Sequence, residues 1–86
     1  MVTITLVRFR RRPTPEEIEN APKAIQDGGG KLLSSYWTLG RYDAIVTVEW
    51  PDEKAAMGAF SRLTDVAATE TLVAIPRAEA IKLAGY

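Results

Sequence analysis

The run Thr38-Leu39-Gly40-Arg41-Tyr42-Asp43-Ala44-Ile45-Val46-Thr47-Val48-Glu49-Trp50-Pro51-Asp52 constrains the fold of this chain more than any other stretch. A β-rich segment enters a turn centred on Gly40, a second one leaves it, and Pro51-Asp52 then stops the strand and offers a helix cap. Strands joined by so short a connection pair antiparallel, as a hairpin. A hairpin in the middle of a chain, with helix signals on both sides, calls for a sheet layer covered by a helix layer.

The flanking segments supply those partners. Val2 to Phe9 alternates Val2, Ile4 and Leu6 against Thr3, Thr5 and Val7 and is rich in β-branched residues, which suit a first strand. Thr14-Pro15-Glu16-Glu17 places a capping hydroxyl, a proline at the first helical position and a glutamate three residues after the cap, so a helix starts there. Ile18, Ala21 and Ile25 share one side of it, Pro22 is expected to bend or split it by removing the amide bond to Ile18, and Gly28-Gly29-Gly30 ends it. Lys31 to Leu39 reads as a second strand and Asp43 to Trp50 as a third. Asp52 caps a second helix reaching about Thr64, with Ala56, Ala59, Phe60 and Leu63 as its apolar stripe. Thr69 to Ile75 gives a fourth strand ended by Pro76, and Arg77 to Tyr86 suits one or two helical turns around Ile81 and Leu83. The order βαββαβ is that of a ferredoxin-like α+β fold: a four-stranded antiparallel sheet with two helices on one face. A chain of 86 residues, 47% hydrophobic and 26% charged, suits one domain spanning residues 1–86.

Gly40, Tyr42 and Asp43, the acidic residue at Pro51-Asp52 and the later Thr69-Glu70-Thr71-Leu72 resemble the GYD domain family over nearly the whole chain. That family is a set of small proteins with no agreed biochemical role. The resemblance therefore implies an architecture and names no reaction.

With Val2, Ile4, Leu6, Ala44, Val46 and Val48 toward the helices, the opposite sheet face is expected to show Thr3, Thr5, Val7, Phe9, Ile45, Thr47, Glu49, Glu70, Leu72 and Ala74. Such a mixed surface is often an interaction site. The plan looks like that of the dimeric α+β barrel proteins, in which two such faces close around a shared cavity. A domain this small also gains from burial against a partner. A homo-oligomer, dimer or higher, holding a small molecule or a partner at the open face is the expected state.

Eleven Lys+Arg balance eleven Asp+Glu, so no global charge draws the chain to nucleic acid or membrane. Cysteine and histidine are both absent, which removes thiol nucleophiles, His-based triads and Cys- or His-ligated metal. No spaced Asp cluster points to calcium, and neither a metal nor a cofactor is expected. The N-terminal run meets Arg8 too soon for a signal sequence, and no apolar run approaches a membrane span of roughly 20 residues, so a cytoplasmic protein is expected.

The remaining chemistry rests on few residues. Tyr42, Asp43, Glu49 and Glu70 are the catalytic candidates: a phenol and three carboxylates able to move protons if a partner subunit buries them. Arg41 and Arg8 are candidate anion-binding groups, and Tyr36, Trp37 and Trp50 a candidate aromatic wall for a flat ligand. Each has a structural alternative, which the sequence favours: Asp43 accepting turn amides, Tyr42 packed with its hydroxyl bonded, the glutamates in ion pairs, the tryptophans in the core. A protein without catalysis is preferred; the alternative is a cofactor-independent isomerase or monooxygenase. Arg8, Arg10, Arg11 and Arg12 suggest phosphate contacts, but Glu16, Glu17 and Glu19 follow closely, and the open face lacks the stacking aromatics of RNA recognition motifs. Nucleic-acid binding through that cluster is the weakest expectation.

Overall fold

A computed structural model describes residues 1–86. The elements run β1 (Val2–Phe9), α1 (Pro15–Asp27), β2 (Lys31–Trp37), β3 (Ala44–Glu49), α2 (Glu53–Ser61), β4 (Ala67–Ala74) and α3 (Arg77–Leu83). The four strands form one sheet in the order β2-β3-β1-β4, and every neighbouring pair is antiparallel. This is the expected ferredoxin-like α+β arrangement. Strand β2 carries an irregularity between Leu32 and Ser34, so that Leu33 falls out of register with β3.

The starts of α1 and α2 follow their local chemistry. The Thr14 side chain accepts from the Glu17 amide at 3.2 Å while the Glu17 carboxylate accepts from the Thr14 amide at 2.9 Å, a complete capping box. The Asp52 carboxylate accepts from the Ala55 amide at 2.9 Å. Helix α1 stays a single element through Pro22, where a break was an alternative. Pro22 lies on its exposed side, so the Ile18 carbonyl deprived of an amide partner can turn to water.

The principal difference from the sequence pattern is the facing of β1. Thr3 and Thr5 are 1% and 0% exposed and lie under the helices, while Val2, Ile4 and Leu6 occupy the opposite face. Pairing carries the same assignment across the sheet: Thr3 stands opposite Val48 and Val73, Thr5 opposite Val46 and Thr71. The polar groups sent inward have partners. Thr3 Oγ1 accepts from the Trp50 indole N–H at 2.9 Å, and the Thr5 and Thr71 hydroxyls are bonded to each other at 3.0 Å. Apolar alternation alone therefore picks the wrong face, because two satisfied threonines bury at little cost.

The core is small and sits toward one end of the helix layer, where Ile25, Val48, Trp50, Ala56, Ala59 and Phe60 cluster. The Trp50 and Phe60 rings meet edge to face, with centroids 5.6 Å apart. Gly30 closes this cluster. A Cβ there would lie 2.7 Å from the Trp50 ring and 2.9 Å from side-chain carbons of Ile25 and Val48. The preceding Gly29 has φ +90°, a left-handed turn that releases the chain from α1.

Gly30→Ala is expected to overpack the core and lower the unfolding free energy by about 1 to 3 kcal/mol. Gly58→Ala, in α2 with open space around it, is expected to raise the unfolding free energy by about 0.5 to 1 kcal/mol through helix propensity. Urea denaturation of both variants checks the contrast; equal effects would contradict the packing role of Gly30.

Candidate functional site

The open face is built on β1, the inner strand between β3 and β4. Across it run three registered rows: Tyr36, Ile45, Leu6 and Glu70; then Ser34, Thr47, Ile4 and Leu72; then Lys31, Glu49, Val2 and Ala74. The apolar residues of the face are Val2, Ile4, Leu6, Ile45 and Leu72; the middle row also holds Ser34 and Thr47, and the charged residues stand in the two outer rows. The face is more apolar than the expected mixture of Thr3, Thr5, Val7 and Phe9.

The Gly-Arg-Tyr-Asp segment forms one corner. Gly40 has φ +105°, which a side chain rarely tolerates, and it sharpens the turn between β2 and β3. Asp43 then locks the end of β1: its amide donates to the Val7 carbonyl and its Oδ2 accepts from the Phe9 amide, both at 2.8 Å. The loop is tied across its base as well, with the Thr38 amide donating to the Asp43 carbonyl at 2.9 Å and the Thr38 hydroxyl to the Tyr42 carbonyl at 2.7 Å. Asp43 therefore holds backbone, the structural role weighed for it above.

Tyr42 and Glu70 meet. The Tyr42 hydroxyl donates to Glu70 Oε2 at 2.9 Å, joining the hairpin loop to β4 over the end of β1. That bond, with partial desolvation and the Glu70 charge behind it, raises the phenol pKa above its usual 10, while Arg41 and Arg8 pull it the other way. Four of the expected residues, Arg8, Arg41, Tyr42 and Glu70, thus act on one corner. Glu49 does not join them: it pairs with Val2, whereas Glu70 pairs with Leu6, a separation of about 13 Å along β1.

The expected aromatic wall is not assembled. Trp50 is 2% exposed, a core residue, and Trp37 lies on the helix side against Phe9, with ring centroids 5.3 Å apart. Only Tyr36, 67% exposed, stands on the open face, because consecutive residues of a strand point to opposite sides. The arginine cluster disperses too. Arg8 is on the open face, Arg10 Nε donates to the Thr64 carbonyl at 2.8 Å, and Arg11 forms a two-pronged ion pair with Glu17 at 2.7 and 2.8 Å. Arg8 and Arg12 have no side-chain partner, but Arg8 points to the open face, so the four cations do not converge on one phosphate grip. No group of acidic side chains is placed to hold a metal ion, and no helix is long and apolar enough to cross a membrane.

Two features escaped sequence reading: the row Val2-Ile4-Leu6 on the open face, and a helix-side cavity of about 520 Å³ lined in part by Val7, Phe9 and Trp37. The signal for the first was the buried indole of Trp50, which needs an acceptor that Thr3 can supply.

Sheet order, helix layer and hairpin corner together define a ferredoxin-like α+β domain. The crystal structure of FFRP-DM1 shares that fold: it is 24% identical, superposes with a TM-score of 0.53, and the match covers 87% of this chain and 100% of that one. The family model of the GYD domain matches residues 9–84, and the chain belongs to the GYD domain family. No curated protein matches it.

Glu17 provides a pH test of the α1 start. The Arg11 guanidinium, followed by the Thr14 amide, lowers its carboxyl pKa from 4.5 to about 2. A depressed folded-state pKa gives stability that is complete above about pH 4.5 and lost as pH falls toward 2. The melting temperature of Glu17→Gln is expected to lie below that of the wild type at pH 6 and to converge with it by about pH 2. A gap that does not change with pH would contradict this assignment.

Proposed function

We propose that this protein works as a homo-oligomer, at least a dimer, in which the open sheet faces of two copies cover each other and enclose a small-molecule pocket beside the Tyr42-Glu70 corner. The observation that carries this reading is the row Val2, Ile4 and Leu6, flanked by Ile45 and Leu72, on the side of the sheet opposite the buried Thr3 and Thr5. A side four strands wide at about 4.8 Å each, and six to eight residues long, measures roughly 19 by 20 to 26 Å. In projection that is roughly 380 to 490 Å², about half of the 800 Å² per partner of a standard interface, so the sheet face supplies the centre of the contact and its flanking loops the rest. Its charges suit a second copy: Arg8 and Lys31 balance Glu49 and Glu70, so a two-fold arrangement can set cations against carboxylates without net repulsion. A cytoplasmic setting belongs to the same reading.

Ile4 is in the central row. Ile4→Glu is expected to shift the protein from oligomer to monomer in native mass spectrometry while leaving the far-UV circular dichroism unchanged. A wild-type protein that is monomeric at micromolar concentration, or a variant that assembles like wild type, would overturn the proposal.

A second reading is favoured by the Tyr42-Glu70 bond alone. A phenol that keeps its proton beside a carboxylate can hydrogen-bond a developing oxyanion while the carboxylate takes a proton from carbon, the essentials of cofactor-free isomerisation. In this reading, deuterium incorporation next to the carbonyl of an added ketone falls at least about tenfold in Tyr42→Phe with assembly intact. Exchange at the same rate in both proteins would remove it.

A further inference from the structure

We propose that the helix side of the fold holds a separate ligand site: an apolar cavity that takes one amphipathic organic acid, its hydrocarbon or aromatic body between α1 and the sheet and its carboxylate on Arg62. The site is independent of how the open face is covered. The cavity has a volume of about 520 Å³. It opens to solvent along one rim, where Ile18 and Trp37 are 44% and 63% exposed. It falls within the 300 to 1,000 Å³ usual for small-molecule pockets.

The cavity lies beneath α1, which is pinned at both ends. At its C-terminal end Ile25 is 5% exposed in the core, and Gly28 packs so close to Ala59 that a Cβ would approach it to 3.2 Å. At its N-terminal end the Arg11-Glu17 pair and the capping box hold it to the preceding loop. That loop is in turn fastened to the α2-β4 connection by Arg10, whose amide donates to the Val66 carbonyl and whose Nε donates to the Thr64 carbonyl, both at 2.8 Å. Between the pins, α1 lines the cavity with the small side chains of Ala21 and Ala24, and Val7, Val46 and Trp37 line it from the sheet. Ile18, at the rim of the same cavity, is an exposed apolar side chain of the helix. Helix α1 is thus held over an apolar floor that its own residues do not fill.

Charge selects the class of ligand. Two charged residues line the cavity, Glu17 and Arg62. Both Glu17 oxygens are engaged, Oε1 by Arg11 and the Thr14 amide and Oε2 by Arg11. The guanidinium of Arg62 has no ion pair and no hydrogen bond. The remaining lining is apolar or neutral, so the one unspent charge is positive, and a guanidinium matches a carboxylate with two parallel donors.

Decanoate is the probe, followed by calorimetry and by methyl and indole NMR shifts. The expected result is saturable binding of one decanoate per chain, with shifts at Ala21, Val46, Leu63 and the Trp37 indole and none at Ile4 or Leu72. Arg62→Gln is expected to weaken decanoate at least about tenfold while leaving decanol unaffected. Ala21→Phe, which fills the cavity, is expected to abolish binding of both; should it fail to fold, Ile18→Trp blocks the same space from the rim. Absence of saturation, shifts confined to Ile4 and Leu72, undiminished binding in the filled variant, or equal loss of acid and alcohol in Arg62→Gln would each overturn the proposal.

Discussion

The hydrogen bond from the Trp50 indole to Thr3 Oγ1, 2.9 Å long and fully buried, sets the facing on which the other features depend. An indole N–H removed from water without an acceptor is a costly group, and the core around Trp50 is otherwise aliphatic and aromatic. Thr3 supplies the acceptor by pointing under the helices. Strand geometry has a period of two, so fixing Thr3 inward fixes Thr5, Val7 and Phe9 inward and Val2, Ile4 and Leu6 outward.

That facing gives each side of the sheet its character. The inner side joins a tight cluster around Trp50 at one end to a loosely filled space under α1 at the other. Its polar groups are matched, Thr3 with Trp50 and Thr5 with Thr71, and no buried side-chain polar atom lacks a partner. The outer side receives the aliphatic residues of an inner strand, which is the costly arrangement for a lone copy in water and the favourable one when a second sheet lies on it. The two faces thus support two different proposals, self-association outside and ligand capture inside.

The Gly-Tyr-Asp corner belongs to the outer side. Asp43 and Gly40 shape the hairpin and secure the end of β1, so they act through the fold. Tyr42 reaches beyond that task to Glu70 on β4, leaving a phenol-carboxylate pair at the end of the apolar row. Arg8 and Arg41 lie near enough to oppose the raised phenol pKa, so the corner combines both signs of charge in a small area.

Much of this was legible in the residues. Element order, both helix caps and the glycine stop after α1 followed from local chemistry, since Thr14, Asp52 and Gly29 act on their own neighbourhoods. The facing of β1 was not, because hydrophobic alternation favours Val2, Ile4 and Leu6 as the buried set and the deciding partner of Thr3 is 47 residues away. The meeting of Tyr42 with Glu70 has the same origin, a contact across 28 residues that no spacing encodes. The cavity under α1 is lined by residues from Val7 to Thr69, again a property of tertiary contacts. The facing of β1 and its burial between copies are tested most directly by the accessibility of methyl groups to a soluble paramagnetic agent, measured by NMR over a dilution series. The account predicts that Val48 methyls are protected at every concentration, while those of Ile4, Leu6 and Leu72 are protected in concentrated protein and become accessible together on dilution. Ile4 and Leu6 methyls that stay accessible in concentrated protein would contradict it.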